Sequence, residues 1–385
     1  MKSYLILILL VLIIFTPVFY FLCILHSNLS DFELHIIAAK KIINEGYLKL
    51  PPHFLFHLLI IILFKLFHLS IINSSLIIVL LSQCATALII FYILKDNLKV
   101  LSESVLLFLT ISIMLLHIIP VLAIIDNQIF QGYIGINTYI NSTILLLKPF
   151  AILLLYFSVK VFSNSNKTVK TYFLALLFTA LSIISKPNFI LCLLPALSLV
   201  SIYYYLIKEC VDFKFLILSI IIPSIIILAF QFWWTYTNSI SLIETSGIGF
   251  SPFTVMSHYS NYLALKLFLS ILFPLSVLVL FYKEIKFDRI LILTWGCFLV
   301  SLFYTYFIIE TGTRMYHGNF VWGSQICNFL LHIFSLLFLL KRIEATELLS
   351  IRKIILKYRL IIPSFIYTIN IISGLGYYIS RFYLA

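Results

Sequence analysis

Charge is what this 385-residue chain has least of: Asp, Glu, Lys and Arg make up 10% of it, and only 14 residues are acidic. A soluble surface needs about a quarter to a third charged residues, so a water-facing globule of this size is excluded. Long polar stretches are missing as well. Neither G-x-G-x-x-G nor G-x-x-x-x-G-K-[ST] occurs, which removes the phosphate cradles of dinucleotide and P-loop domains. The six cysteines (Cys23, Cys84, Cys192, Cys210, Cys297, Cys327) lie in or beside apolar runs and form no C-x-x-C. Neither a zinc framework nor a disulfide scaffold is indicated.

What the chain does have is hydrocarbon: 63% of residues are hydrophobic and the mean hydropathy is +1.14. Only lipid accommodates that much apolar surface. A transmembrane helix takes about 20 mostly apolar residues, and runs of this kind fall at 4–25, 75–94, 100–119, 143–162, 171–185, 188–207, 214–232, 262–282, 290–308, 320–340 and 360–379, with a shorter one at 53–67. The expected fold is all-α: a single polytopic integral membrane domain over 1–385 with about 11–12 transmembrane helices. Residues 4–25 follow Met1-Lys2 and lack an A-x-A cleavage site, so they read as a retained first span.

The 26 Lys and Arg against 14 acidic residues give a net charge of +12, and their placement carries topology. Of these, 17 fall at the N-terminus and in alternate linkers: 95–99, 160–170, 208–214, 283–289 and 341–359. The other linkers, 26–52, 120–142, 233–261 and 309–319, are poorer in basic residues. Basic residues gather in cytoplasmic loops, so the N-terminus is expected inside and this second set outside. Parity then requires 53–67, which carries His53, His57 and Lys65, to be re-entrant or interfacial. The rival topology, with the N-terminus outside, places Lys40, Lys41 and Lys49 inside.

In the first outer loop, Ser30 and Glu33 form an S-x-x-E capping box, Gly46 is a stop, and Phe32, Ile36, Ala39 and Ile43 share one helical face. This predicts an amphipathic juxtamembrane helix on the membrane surface, with Asp31 and His35 four residues apart on one side. The span, the D-x-x-x-H-x-x-A pattern of Asp31 to Ala38, Gly46 and the Pro51-Pro52-His-Phe-Leu-Phe-His entry to the next run resemble the start of GT-C glycosyltransferases, closest to the protein mannosyltransferase and aminoarabinose-transferase branch. The resemblance implies a GT-C-like fold and a polyprenyl-phosphate sugar donor, with Asp31, the position matching the family's first outer-loop acid, as catalytic base or acceptor-positioning group beside His35. Two departures stand out: the family's adjacent acidic pair is here Asp31-Phe32-Glu33, and there is no large C-terminal soluble domain to identify the acceptor. In length and span number the chain also resembles, more weakly, bacterial O-antigen polymerases.

The other outer loops supply further candidates. Asp126, a second acid where GT-C enzymes often keep one, opens a segment rich in amides and rings, in which Asn127, Gln131, Asn137, Tyr139 and Asn141 suit a glycan. Lys148, inside the next span, needs an anionic partner or must snorkel, and a lipid phosphate is one such partner. In the last outer loop Arg314 can grip phosphate bidentately, with Glu310 orienting it and His317 assisting. The 233–261 loop adds Trp233, Trp234, Glu244, His258 and Tyr259 on the same side. No cofactor is certain; a divalent metal between Asp31 and Asp126 is the one candidate, and no ligand spacing supports it.

The expectation is a membrane glycosyltransferase acting on a lipid-linked donor and a glycan or glycolipid acceptor, with no nucleic-acid partner. The alternatives are a repeat-unit polymerase and, from another class, a lipid-linked oligosaccharide flippase or transporter. The Ile, Lys, Asn, Phe and Tyr usage suggests an AT-rich bacterial genome, hence an inner (plasma) membrane.

Overall fold

The computed structural model describes residues 2–25, 30–46, 51–129, 132–163, 167–236, 247–347 and 353–383. Its helices are α1 (Lys2–Tyr20, continued by a π turn Phe21–Leu25), α2 (Phe32–Glu45), α3 (Leu55–Phe67), α4 (Ile71–Asn97), α5 (Glu103–Leu115), α6 (Ser142–Ser158), α7 (Val169–Ser185), α8 (Asn188–Leu206), α9 (Ile222–Tyr236), α10 (Leu263–Ser270), α11 (Leu272–Leu280), α12 (Arg289–Phe307), α13 (Val321–Glu347) and α14 (Lys353–Tyr383), with short helical turns between some of them. Two three-residue strands, β1 (Ile248–Phe250) and β2 (Ile308–Glu310), pair antiparallel with Gly249 opposite Ile309. Helices dominate because backbone in lipid must close its own hydrogen bonds, and a helix does so within one segment. Among the described residues eight helical segments are long and apolar enough to cross a membrane, or nine if α10 and α11, bent by 70°, count as one span, against the 11–12 expected; α3, α5 and α7 are apolar but shorter. The protein is an all-α polytopic membrane protein.

Polar caps set many of the starts. Ser70, Ser102, Asn141, Thr168, Asp212 and Asp288 each accept a bond from the backbone N–H three residues ahead. At the centre, every residue of α13 from 323 to 340 is buried, as expected of a helix that is apolar nearly all round.

The bundle has two chemically different ends. Tyr4 meets Phe91 edge-on at 5.2 Å, which sets α1 and α4 antiparallel and places Lys95, paired with Glu103, at the end where the chain begins. The same end holds Lys167–Asp212, Arg289–Glu209 and Arg359–Glu284, each at 2.8 Å. There Glu344 also accepts the Val100 N–H at 2.9 Å. The opposite, polar end gathers α2, the Pro51-Pro52 turn, Lys186, and the β1–β2 pair with the turns around it. Since α3 starts beside α2 and α4 starts at that same end, Leu55–Phe67 does not carry the chain across the bundle.

Three expectations change. The 100–119 run is not one helix: α5 stops at Leu115, ahead of Pro120, which has no N–H to give the Leu116 carbonyl and whose ring would clash with it in a continuing helix. The freed carbonyls find side chains instead: Asn137 Nδ2 donates to Ile113 O (3.0 Å) and Leu116 O (2.9 Å), Tyr139 Oη to Met114 O (3.2 Å), Asn370 Nδ2 to His117 O (2.7 Å) and Ser373 Oγ to Ile118 O (2.5 Å). Nor is 120–142 an exposed loop throughout, since residues 132–139 are non-helical and buried inside the bundle. Such backbone survives only when packed protein satisfies it, and here Asn328 Nδ2 donates to Ile134 O at 2.8 Å while Tyr377 Oη donates to Thr138 O at 2.6 Å. Finally, no Ser30–Glu33 capping box forms. Asp31 already has helical backbone angles (φ −71°, ψ −3°), so Ser30 Oγ accepts from Phe32 N and donates to Leu22 O, both at 3.3 Å, and Glu33 is exposed. The surface helix itself is present and stops at Gly46 (φ 92°), its buried stripe running Phe32, Ile36, Ala39 and Ile42 rather than Ile43.

Candidate functional site

Asp31 is held from across the chain. Its N–H donates to Ile140 O at 2.9 Å, and its carboxylate accepts from Asn141 Nδ2 at 2.5 Å. Asn141 is in turn fixed as the cap of α6, its Oδ1 taking the Ile144 N–H (2.9 Å) and the Thr143 hydroxyl (2.8 Å). That same oxygen also accepts from Lys186 Nζ at 3.3 Å, while Lys186 donates to Thr143 Oγ1 at 3.1 Å and lies 4.8 Å from the centre of the Trp322 ring. Lys186 sits in the short turn between α7 and α8 and is 8% exposed. Burial draws its ammonium down to about 8, with Asp31 acting in the opposite direction. The result is a carboxylate and an ammonium held on the two ends of one asparagine amide.

Three imidazoles stand beside this pair. His35 Nδ1 and His57 Nε2 are 3.1 Å apart, and the His53 ring lies 6.4 Å from that of His35. Gln231 Nε2 anchors the turn that presents His53, donating to Pro52 O at 2.9 Å and to Ile183 O at 3.1 Å. Burial above all lowers His35 well below the ordinary imidazole range, and His53 to about 3. The positive charges of Lys186 and Arg314 press His53 in the same direction. Lys186 thus acts electrically on both His35 and His53, and Arg314 on His53.

Glu310, at the end of β2, pairs with Arg314 at 3.2 Å and accepts from Asn319 Nδ2 at 2.5 Å, and Asn188 Nδ2 donates to Asn319 O at 2.8 Å. A small pocket here is lined by Val255, Thr305, Ile309, Glu310, Arg314 and Phe320. His317 is exposed at the end of the adjoining helical turn.

The remaining candidates fall elsewhere. Asp126 Oδ2 accepts from Ser260 Oγ and Lys266 Nζ, both at 2.6 Å, and Oδ1 from Gln128 N at 3.1 Å. Burial pushes its carboxyl up, but the bonds from Lys266, Ser260 and Gln128 outweigh this and hold it below its ordinary value. Asn127 is exposed, with φ 54°. Asn137 and Tyr139 are spent on the broken end of α5. Lys148 is 2% exposed, donates to Asn137 Oδ1 and lies 4.3 Å from the Phe329 ring centre. Gln131 and Glu244 lie outside the described residues. A metal shared by Asp31 and Asp126 does not fit: both Asp126 oxygens are taken by donors, and among the described residues no three His, Cys, Asp or Glu are grouped to bind one.

Sequence reasoning singled out Asp31, His35, Asn141, Glu310 and Arg314, which the fold gathers at one end of the bundle. It missed Lys186, and it treated His53 and His57 only as marks of a non-spanning segment. A signal existed for Lys186: a lone charge in a two-residue turn before Pro187, between two apolar runs. No known protein family, curated protein or solved structure matches the chain.

Proposed function

We propose that this protein is an integral-membrane glycosyltransferase of GT-C type, moving a sugar from a polyprenyl-phosphate donor to a glycan or glycolipid acceptor on the extracytoplasmic face. The observation that carries the proposal is the Asp31–Asn141–Lys186 array at the end of an apolar bundle. Asp31 takes the proton of the acceptor hydroxyl as its oxygen attacks the anomeric carbon. The bond from that carbon to the phosphate oxygen breaks, and the electron pair leaves with the phosphate. Lys186 and Arg314 meet the charge that develops there, so Lys186 takes the part that sequence alone gave to Lys148. A donor that arrives already lipid-linked needs no nucleotide cradle, in keeping with the missing motifs. The basic end of the bundle would face the cytoplasm together with the N-terminus, leaving the site outside.

The test is mass spectrometry of lipid-linked and surface glycans from a deletion strain complemented with wild type or Asp31→Asn at matched membrane abundance. Loss of one defined sugar in both the deletion and the variant is the expected result. Single unpolymerised repeats would indicate a polymerase instead, and an unchanged profile in the deletion would sink the enzyme reading.

One pair of features favours a second reading, a flippase or transporter. The α10–α11 pair is broken at membrane depth, and the non-helical 132–139 segment is buried beside it, as in proteins that line translocation paths with discontinuous helices. This reading ranks second because packed side chains occupy that region: Ser270 Oγ meets Ile134 N at 3.0 Å and Asn328 Nδ2 meets Ser270 O at 3.2 Å.

A further inference from the structure

We infer that His57 locks His35 as a hydrogen-bond donor, leaving the His35 Nε2–H to meet an oxygen of the bound substrate beside Asp31; this rests on the proposed function and gives His35 a part in it other than that of a base. His35 Nδ1 and His57 Nε2 lie 3.1 Å apart. One of these nitrogens must donate and the other accept, so the contact ties the tautomers of the two rings together. Burial lowers His57 to about 4 and His35 well below the ordinary imidazole range. Near neutral pH both rings are therefore uncharged, and each carries a single N–H.

The direction of the shared bond follows from the far side of His57. That residue is 1% exposed, and among the described residues its Nδ1 has no partner. His57 is the third residue of α3, whose first turn receives no side-chain cap from Phe54. The N–H groups of Leu55, Phe56 and His57 thus stand ahead of the first helical bond, from Leu58 N to Phe54 O at 2.9 Å. Uncapped N–H groups at the positive end of a helix favour a lone pair nearby over another N–H, and a buried N–H without a partner is rarer than a bare acceptor. His57 accordingly keeps Nδ1 bare and carries its hydrogen on Nε2, which donates to His35 Nδ1. The hydrogen of His35 is then left on its own Nε2.

His35 is placed to use it. The residue follows Asp31 by one turn on the same side of α2, its backbone N–H donating to Asp31 O at 3.3 Å. Its ring is wedged edge-on against Phe56 at 5.7 Å and His53 at 6.4 Å, which fixes its plane. Unlike His57 it is only half-buried, and its Nε2 makes no hydrogen bond with the described residues. A charged Asp31 can only accept. Side by side, the two residues offer a substrate one acceptor and one donor.

The experiment is solid-state NMR of the full chain in lipid nanodiscs near neutral pH, with isotope-labelled histidine rings assigned by the signals lost in His35→Gln and His57→Glu. Both rings are expected to carry their hydrogen on Nε2 with Nδ1 bare; hydrogens on both Nδ1 nitrogens would overturn the inference. In His57→Glu an acceptor replaces the donor, so the His35 hydrogen should move to Nδ1, and a hydrogen still on Nε2 would remove the lock. Sugar transfer per folded molecule supplies the second readout. His35→Gln, whose amide restores an N–H in place of Nε2, should keep transfer within a few fold, while His35→Leu should lose roughly tenfold, about one hydrogen bond. Equal transfer by these two variants would overturn the donor role. Because tautomers are read without turnover, transfer with the reverse tautomers removes this inference alone, while the expected tautomers with no transfer from any donor keep the lock and remove the enzyme.

Discussion

Two buried lysines invite comparison. Lys186 and Lys148 each donate to an asparagine of the 132–141 segment, Asn141 and Asn137. Each also lies over an aromatic ring of α13, Trp322 at 4.8 Å and Phe329 at 4.3 Å, seven residues or about 10 Å apart along that helix. The surroundings then diverge. Asn141 passes its other end to the Asp31 carboxylate at the end of the bundle, whereas Asn137 passes its amide to two backbone carbonyls of the broken α5. The same side-chain chemistry serves a site in one place and closes a helix in the other, and what separates the two is the group behind the asparagine.

The largest effects should separate the pair. Asp31→Asn or Lys186→Met should lower sugar transfer by about a hundredfold to a thousandfold per folded molecule, as loss of a general base or of an electrostatic donor does. Equal loss in Lys148→Met per folded molecule would erase the distinction. On the structural side, Gly374→Ala should be severe: its Cβ would lie 1.9 Å from Leu115 O, where α14 packs on the broken end of α5. Overpacking of backbone against backbone should cost about 3 kcal/mol, read as a lowered unfolding temperature.

Lys148→Met should have a smaller effect. It leaves Asn137 Oδ1 without its donor, at about 1–3 kcal/mol of stability, while transfer per folded molecule stays within a few fold. The finest test is pH. With its ammonium near 8 against about 10.4 in an unfolded chain, Lys186 sheds its proton earlier when folded. Between those values the unfolded state binds more protons, so stability from this residue rises with pH by about 1.4 kcal/mol per unit. Transfer, which needs the charged form, should fall over the same window. Opposite slopes of activity and unfolding temperature, both lost in Lys186→Met, are the expected signature; parallel slopes would detach Lys186 from the reaction.

Legibility in the sequence followed the range of the interaction involved. Most of the apolar runs, the basic linkers and the surface helix before Gly46 rest on neighbours within a few residues and were readable, whereas the early end of the 100–119 run, the bend in the 262–282 run and the burial of 132–139 were not. Asp31 and His35 were legible as one turn of one helix. The capping box failed because Ser30 answers to Leu22, a residue of the preceding π turn. Lys186 was missed because its partners, Asn141 and Trp322, lie far along the chain. Asn137, Tyr139 and Lys148 looked available because nothing local revealed that α5 would end short and leave carbonyls for them to satisfy.

By itself, then, the sequence determined that this chain lives in lipid, is helical, and has one basic and one polar end. Those are consequences of hydrophobic transfer and of backbone that must bond within its own segment. Tertiary structure alone decided which polar side chains meet at that polar end and which are consumed inside. In an apolar bundle a polar group takes whichever partner folding delivers, and an amide 110 residues from Asp31 reaches it only because the start of α6 is set beside the start of α2.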